Sequence, residues 1–548
     1  MSPDLRPRAV QSETVMEAPL LPVNGGAAPS SSTAVATVAA GSPPPLRNPS
    51  KHARLQALDL VRGFTVWLMI FVDEVGGAYN RGINHSPWDN FTLADFVMPW
   101  FLFMVGAAMA FSLRKYTPSS ERSAATCGEG LRKVVVRAVK LFVLGVLMQG
   151  GGWPGDASDF TFGYNLRTIR PCGILQRIAI AYLIVGCIEI LAKPTPRIAR
   201  WLVPASAEES PRTRCRCAAL LPFREHLALF TDYSVQWIAG FASLLFYLIV
   251  VYAVAVPDWS VEIGEAVDRG LNGSALVVHC GGVRGAIHSP QCWAGGYVDR
   301  LILTQHHVYH PAEKVRLPEC SSCSPADCPR AVRPIWCDAP AYDPEGILAT
   351  VPTVLSTVIG LHFGRAVKGL VTTKSRVAHW SIFSTLLIAL GGVIHFSGDP
   401  INKQRWSPSY VFFMAGTCGA ALTVVYLLID VLLPSPRMAK IGGAKLALPL
   451  FPFVAMGMNA ILFFFFHGTA ETLTNSVYVP TTDKTLCGDE GKCTLLPWIE
   501  RTWFAEFDND VGFYHDSPRV LAYTLCKLTF GYLFAAWLLW KLNVFWKI

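Results

Sequence analysis

The sequence is poor in charged residues. Asp, Glu, Lys and Arg together make up 16% of its 548 residues, whereas hydrophobic residues make up 52%. A soluble chain normally carries about a quarter charged residues, so a string of soluble domains fits this composition badly. Long apolar runs recur along most of the length instead. The composition therefore predicts an all-α membrane protein that crosses the bilayer many times.

Several familiar catalytic motifs are also missing. The sequence contains no P-loop, no Gly-x-Ser-x-Gly and no His-Glu-x-x-His pattern, so no motif supports nucleotide hydrolysis, a serine esterase or a zinc protease. The formal net charge of +8 comes from basic residues in short loops, where such residues set membrane topology. We therefore expect no nucleic-acid partner and a lipid bilayer as surroundings.

The apolar runs predict about ten transmembrane helices. They lie near residues 55–75, 92–113, 131–150, 173–192, 234–256, 347–364, 377–396, 408–433, 446–467 and 519–541. Lys and Arg concentrate in the loops after the second, fourth, sixth and eighth spans, and loops of this kind normally stay in the cytosol. Both chain termini are therefore predicted to be cytosolic.

The remaining segments divide the chain into an arm and a membrane domain. Residues 1–53 are rich in Pro, Ala, Ser and Gly without an apolar run, which predicts a disordered cytosolic arm rather than a signal peptide. Residues 54–548 are predicted to form the transmembrane domain. Its longest loop, residues 257–346, falls on the luminal side and contains the glycosylation acceptor pattern Asn272-Gly-Ser274.

Cysteines concentrate in the predicted luminal loops. Eight of the 15 lie there, namely Cys280, Cys292, Cys320, Cys323, Cys328, Cys337, Cys487 and Cys493. This distribution predicts up to four disulfides in an oxidising compartment. His306, His307 and His310 lie near these cysteines. However, Cys320-x-x-Cys323 has no matching second pair, so disulfides are favoured over zinc and no metal is predicted.

Ionisable residues crowd the luminal end of the first two spans. Asp73 and Glu74 end the first span, His85 lies in the turn, and Asp95 begins the second span. Such groups at a membrane boundary are a functional hypothesis by default. A neutral imidazole can act as a base or as a nucleophile, and a neighbouring carboxylate would fix its tautomer. We expect Asp73 to be the partner of His85, with Asp95 and Glu74 as alternatives, although a histidine that only caps a helix has the same spacing.

A second polar group begins the fourth span. Arg170, Gln176 and Arg177 would either hold an acyl donor and an oxyanion or form buried ion pairs with acidic residues of neighbouring helices, such as Asp59, Asp95 or Glu189.

Two further positions are candidates for donor binding. Arg62 lies near the predicted cytosolic face, as do Lys115, Arg132 and Lys133, and each is a candidate phosphate ligand. Asn459, in the middle of the ninth span, is either a buried amide in the site or a residue that bonds a neighbouring helix.

Several ordered segments resemble the transmembrane acetyltransferases typified by heparan-α-glucosaminide N-acetyltransferase. They are Asp59-Leu-Val-Arg62-Gly63, Asn84-His85-Ser-Pro-Trp88 and residues 93–101, 170–178, 342–348, 399–410 and 457–460. The resemblance implies transfer of an acetyl group from cytosolic acetyl-CoA to a luminal amine. It also implies that His85 and Asp73 are catalytic and that residues 170–178 lie near the donor. A lysosomal or vacuolar membrane and a homodimer are further implications, with the plasma membrane as an alternative.

Two functions therefore compete. In the first, the protein acetylates an amino sugar or glycan on the luminal or extracellular side. The animal members of the family carry a luminal N-terminal domain, whereas residues 1–53 here are expected to form only a cytosolic arm, so the acceptor stays open. In the second, the protein transports a small solute or protons through a relay of Asp59, Asp73, Asp95, Arg177 and His85. No inverted repeat or pair of broken spans favours the transporter.

Overall fold

The computed structural model describes most of the membrane domain. The described residues are 55–75, 82–116, 124–149, 169–192, 225–261, 277–309, 317, 320, 334–337, 339–434, 448–475, 477–480, 492–504 and 518–546. All of them belong to one unit, Arg54–Ile548. The arm predicted for residues 1–53 lies outside the described residues.

Helices account for nearly all the regular structure described. They are α1 (Gln56–Val75), α2 (Val97–Ser112), α3 (Ala124–Gln149), α4 (Ile174–Leu191), α5 (Ser234–Ala253), α6 (Ala294–Leu303), α7 (Thr353–Gly369), α8 (Thr373–Phe396), α9 (Pro408–Tyr426), α10 (Phe451–Met458), α11 (Ala460–Asn475), α12 (Leu495–Trp503), α13 (Pro518–Cys526) and α14 (Phe534–Lys541). Short helical turns precede α2 (Leu93–Phe96) and α7 (Ile347–Thr350). π-Helical turns extend α9 (Leu427–Leu432) and join α13 to α14 (Lys527–Leu533).

Strands are few and short in the described part of the chain. β1 (Trp259–Ser260) pairs antiparallel with β2 (Val277–Val278), with Trp259 opposite Val278. β3 (Tyr478–Pro480) pairs antiparallel with β4 (Lys492–Thr494). Both pairs lie in segments between membrane helices, so the helices alone build the membrane-spanning part.

Among the described residues, seven helical stretches are long and apolar enough to cross a membrane. They are Leu93–Ser112, Ile174–Leu191, Ser234–Ala253, Ile347–Gly369, Thr373–Phe396, Pro408–Leu432 and Pro518–Lys541. An eighth span results if α10 and α11 are counted together across their 81° bend. The first and third predicted spans also form helices, α1 and α3. Both contain several charged residues, so the total of ten spans stays a prediction.

The helices approach one another closely where glycines face a neighbouring backbone. A Cβ atom at Gly360 of α7 would overlap the carbonyl oxygen of Phe103 in α2, and one at Gly106 would overlap that of Thr357. Helices α1 and α10 cross in the same way at Gly63 and Gly457. Small residues allow such close crossings in membranes, where packing rather than hydrophobicity holds helices together.

In the long loop, residues 257–346, the described parts contain two disulfides and contact the turn that precedes α2. Cys280 bonds Cys292, and Cys320 bonds Cys337. Trp88 in the turn donates a hydrogen bond from Nε1 to the carbonyl of Ile287 at 3.0 Å. The remaining disulfide predictions rest on residues outside the described parts, apart from the backbone of Cys493, and Asn272 also lies outside them. Within the described residues, no group of three or more His, Cys, Asp and Glu is arranged to hold a metal.

The close crossing of α2 and α7 predicts that Gly360→Ala destabilises the protein. The added methyl group must push the two backbones apart, and overpacking of this kind costs about 1–3 kcal/mol. We expect a lower apparent Tm of the purified protein in detergent. Gly392→Ala is the matched control, because a Cβ atom at Gly392 in α8 meets no atom within 4 Å. Equal Tm values for the two variants would contradict the close crossing.

Candidate active site

His85 is held by Asp95. Nδ1 of His85 lies 2.7 Å from Oδ1 of Asp95, a carboxylate that is completely buried. The backbone amides of Ser86 and Thr92 donate to Oδ2 of Asp95 at 3.1 and 2.9 Å. Asp95, rather than the expected Asp73, therefore forms the hydrogen bond to Nδ1 of His85, and the alternative partner fits the geometry better.

Local sequence explains why Asp95 occupies this position. Thr92 precedes the helical turn Leu93–Phe96, and Asp95 is its third residue, which is the spacing of a capping box. The Asp95 carboxylate therefore reaches back over the turn that carries His85. Tyr410 of α9 donates from its hydroxyl to the backbone carbonyl of Asp95 at 2.5 Å and fixes the same turn from the other side.

Lys403 completes the contacts of the imidazole. Its Nζ lies 3.1 Å from Nδ1 and 3.0 Å from Nε2 of His85. Neighbouring residues bind the segment to the turn: Gln404 donates to the carbonyl of Ser86 at 3.2 Å, and Asn402 donates to Asp89 at 3.2 Å. The cation beside His85 therefore comes from a segment more than 300 residues away in sequence.

Sequence reasoning included Lys403 in the segment 399–410 that resembles the family, but it gave this lysine no role of its own, although a signal was present. Short luminal loops are normally poor in Lys and Arg, yet the segment between α8 and α9 contains Lys403 and Arg405. Arg405 bonds Asp399 at 2.9 Å within the same segment, which leaves Lys403 as the cation that faces His85.

His85 and Lys403 line a cavity of about 350 Å³, called here the smaller cavity. Asp73, the expected partner, also lines it. Oδ2 of Asp73 lies 3.8 Å from Nε2 of His467, which is a further lining residue. Glu74, the other carboxylate at the end of α1 that was considered as a partner of His85, has its Oε1 2.6 Å from Nζ of Lys527. Asp73 is therefore placed at the same cavity as His85 but on the side of His467.

A larger cavity of about 670 Å³ adjoins the smaller one. Three basic side chains line it, those of Arg62, Lys133 and Arg137, and its walls are otherwise mainly apolar residues of α2, α4 and α11. Ile174 and Phe464 line both cavities. The two cavities therefore share part of their wall, with basic residues in one and the His85 group in the other.

Arg62 is the one predicted donor-binding residue that lines the larger cavity, and Lys133 from the wider set of candidates joins it. Arg62 also contacts Asp59 at 3.3 Å. Arg137 was not singled out from the sequence. Its guanidinium lies 5.0 Å from the ring centroid of Tyr182, which holds it in a cation–π contact at the cavity wall.

Arg170 forms buried ion pairs, as the second of the two alternatives predicts, but its partners are Asp343 and Glu345. Arg170 bonds Asp343 at 2.5 and 3.0 Å and Glu345 at 2.5 Å. Arg177 donates to the carbonyl of Pro344 at 2.5 Å and lies 3.3 Å from the hydroxyl of Thr350. Neither arginine is among the described residues that line the two cavities. Both instead hold the segment that leads into α7.

Charged groups around this segment shift the pKa values of its buried carboxyl groups. Burial opposes ionisation of Glu345, but the positive charges of Arg170, Arg177 and Lys403 lower its pKa below the usual range. Burial and the charge of Asp343 raise the pKa of the nearby Asp299 to about 8. The charge of Lys403, which contacts His85, therefore also acts on Glu345.

Gln176 and the buried ion pair of α4 complete this region. Gln176 is buried against Gly145 of α3, and neither of its polar side-chain atoms has a hydrogen-bond partner among the described residues. The acidic residue suggested for an arginine pair, Glu189, instead binds Arg365 of α7 and accepts from Gln236 at 3.0 Å. Glu189, one of the three acidic residues considered as partners of Arg170 and Arg177, therefore contacts Arg365 and Gln236.

The sequence places Asn459 in the middle of a helix, but in the structure it lies at a break between two helices. It separates α10 from α11 where they bend by 81°. Its side chain donates to the carbonyl of Val544 at 3.1 Å and accepts from the amide of Trp546 at 3.0 Å. Phe545 and Trp546 line the larger cavity. Asn459 thus positions a wall of that cavity.

Comparison with known proteins finds similarity to one kind of enzyme, an N-acetyltransferase. Residues 54–209 match the family model described as "Heparan-alpha-glucosaminide N-acetyltransferase, catalytic". This region contains His85, Asp95, Arg62, Lys133 and Arg137, but not Lys403.

Two curated relatives extend the match. Heparan-alpha-glucosaminide N-acetyltransferase of Mus musculus is 27% identical over 434 residues, which cover 77% of this chain and 54% of that protein. The Homo sapiens protein of the same name is 27% identical over 434 residues, or 76% of this chain and 53% of the relative. The chain therefore spans about half the length of the curated relatives it matches.

Proposed function

We propose that this chain, which is similar to the heparan-α-glucosaminide N-acetyltransferase family, transfers an acetyl group from acetyl-CoA to an amine across the bilayer. The observation that carries this proposal is that two cavities of different lining share a wall at Ile174 and Phe464. One contains three basic side chains that suit a phosphate-bearing donor. The other contains a histidine with a fixed carboxylate partner.

The similarity to acetyltransferases also favours this function over the transporter. A transporter needs one site that opens to either side in turn, whereas a transferase needs two sites that hold different molecules at once. The two cavities differ in charge and in size, which suits two different substrates better than one solute.

In the proposed reaction, the carbon–sulfur bond of the thioester breaks and a carbon–nitrogen bond to the acceptor forms. The acceptor amine must lose a proton, the sulfur of CoA must gain one, and the carbonyl oxygen carries negative charge in between. The site therefore has to supply a base, a donor to the oxyanion and a binding place for each substrate.

His85 is proposed as the base or as the group that first accepts the acetyl. In the tautomer whose Nδ1–H donates to Asp95, the lone pair lies on Nε2. Asp95 also stabilises the imidazolium that forms when Nε2 takes a proton. An acetyl-histidine intermediate and direct attack by the amine use the same atom, and both stay open.

Lys403 is proposed to stabilise the oxyanion. Its Nζ is 3.0 Å from Nε2 of His85, so a positive charge lies next to the reacting atom. A fixed cation in a site sheltered from water stabilises developing negative charge more strongly than water does. Lys403 would therefore act in the chemical step rather than in donor binding.

Acetyl-CoA is proposed to occupy the larger cavity. Its phosphates would bind Arg62, Lys133 and Arg137, since charge-assisted hydrogen bonds to Arg and Lys suit phosphate oxygens. The apolar wall would hold the thin pantetheine arm and direct the thioester towards Ile174 and Phe464. The acceptor is an amino sugar or glycan amine in the smaller cavity. Cytosolic access for the donor, luminal access for the acceptor, a lysosomal or vacuolar membrane and a homodimer stay predictions.

Substitution of His85 tests the proposal. Purified protein in detergent, supplied with radiolabelled acetyl-CoA and a panel of amino sugars including glucosamine, should transfer label to at least one amine. Loss of a base typically costs about 10²–10⁴-fold in rate, so His85→Ala should fall by at least 10²-fold. His279→Ala is the control, because His279 is an exposed loop residue paired with Asp258.

Two other outcomes would change the account. Equal transfer by the wild type and His85→Ala, at matched expression and folding, would contradict the role of His85 while keeping the enzyme. Wild-type protein that neither binds acetyl-CoA nor transfers acetyl to any amine would contradict the proposed function.

Lys403 and Lys133 should separate the chemical step from donor binding. We expect Lys403→Met to lower kcat by roughly 10²-fold or more with little change in the KM for acetyl-CoA. Lys133→Met should chiefly raise that KM, because it removes a proposed phosphate contact. Steady-state kinetics with varied acetyl-CoA measure both. The reverse pattern, in which Lys403→Met alters only KM, would place Lys403 in donor binding instead.

A further inference from the structure

Phe464 lies at the boundary between the two cavities. It belongs to α11, five residues after the break at Asn459, and it lines both cavities, as does Ile174 at the start of α4. It also packs against two separate clusters of the hydrophobic core. Its ring therefore forms part of the partition between the basic cavity and the His85 cavity.

This position has a consequence for the proposed acyl transfer. The acyl carbon must pass from the larger cavity to a point where His85 and the acceptor amine can reach it. The acyl group and the acceptor must then share a volume of about 350 Å³, and Phe464 and Ile174 stand on the side that faces the larger cavity. A longer acyl chain would have to displace one of these two side chains.

We propose that Phe464, together with Ile174, sets the length of the acyl chain that the protein transfers, admitting acetyl and excluding longer chains. The proposal rests on the proposed function. The donor class that it defines is a short-chain acyl thioester of CoA, with acetyl preferred.

The surroundings of the neighbouring phenylalanines support a special role for Phe464. The side chain of Phe466 is 56% exposed at the protein surface. Phe465 packs edge-on against Trp546 at a centroid distance of 6.0 Å. Neither Phe465 nor Phe466 lines the cavities. In this run of phenylalanines, the helix therefore presents Phe464 to the boundary and directs the next two elsewhere.

The bend at Asn459 fixes where Phe464 points. The side chain of Asn459 bonds Val544 and Trp546, so the first turn of α11 is tied to the C-terminal segment. Because α11 starts from this fixed point, the ring of Phe464 is held by backbone geometry as well as by packing. A partition that selects chain length needs such support, since a freely moving ring would admit longer chains.

Competition between two donors tests the proposal. Purified wild-type protein, Phe464→Ala, Ile174→Ala and Phe466→Ala are supplied with acetyl-CoA or butyryl-CoA and one accepted amino sugar, and kcat/KM is measured for each donor. We expect the ratio of butyryl to acetyl transfer to rise by roughly tenfold or more in Phe464→Ala, which is the usual size of discrimination between chains differing by methylenes. Ile174→Ala should raise it less, and Phe466→Ala should leave it unchanged.

The ratio separates a selective role from a structural one. A merely destabilising substitution lowers transfer from both donors together and leaves the ratio constant. If Phe464→Ala does not fold, Phe464→Leu and Ile174→Ala provide the measurement. Wild-type acetyl transfer combined with an unchanged ratio in every folded boundary variant would overturn this proposal and leave the proposed function standing. An absence of acetyl transfer by the wild type would instead overturn the proposed function, and this proposal with it.

Discussion

The arrangement of the site depends on one buried carboxylate. Asp95 is completely buried and accepts hydrogen bonds from two backbone amides as well as bonding Nδ1 of His85. Removing a carboxylate from water is costly unless it is fully hydrogen-bonded, so these contacts must form together. Residues 85–95 are therefore held together by these contacts, and His85 among them lines the smaller cavity. Lys403 adds a positive charge at the same place and offsets the buried negative charge.

Distant parts of the chain meet around this carboxylate. The segment from Asp399 to Tyr410 provides Lys403 and binds the turn, while the long loop covers it through Trp88 and Ile287. On the other side of Ile174 and Phe464 lies the larger cavity with its basic lining. Asn459 lies where α11 begins, and its side chain bonds the segment that contains Trp546, which lines the larger cavity.

Some of this could be predicted from the sequence. Apolar runs located a helix at each expected span, since hydrophobic length is a local property that needs no knowledge of neighbours. The position of His85 between two helices was equally local. Asp95 was held only as an alternative to Asp73, because spacing does not reveal which carboxylate a capping box turns towards the ring. Lys403 and the roles of Arg170 and Arg177 depend on contacts across more than 160 residues, which no local pattern specifies.

Sidedness is the most direct test of the central claim that two cavities connect donor and acceptor across one bilayer. Protein reconstituted into sealed vesicles, oriented by sorting and supplied with acetyl-CoA only outside and an accepted amino sugar only inside, should produce acetylated sugar in the lumen while the vesicles stay sealed to both substrates. The account predicts this product in vesicles that expose the Lys133 side to the donor, and its loss in His85→Ala. Product that forms only when both substrates are on the same side would contradict the account.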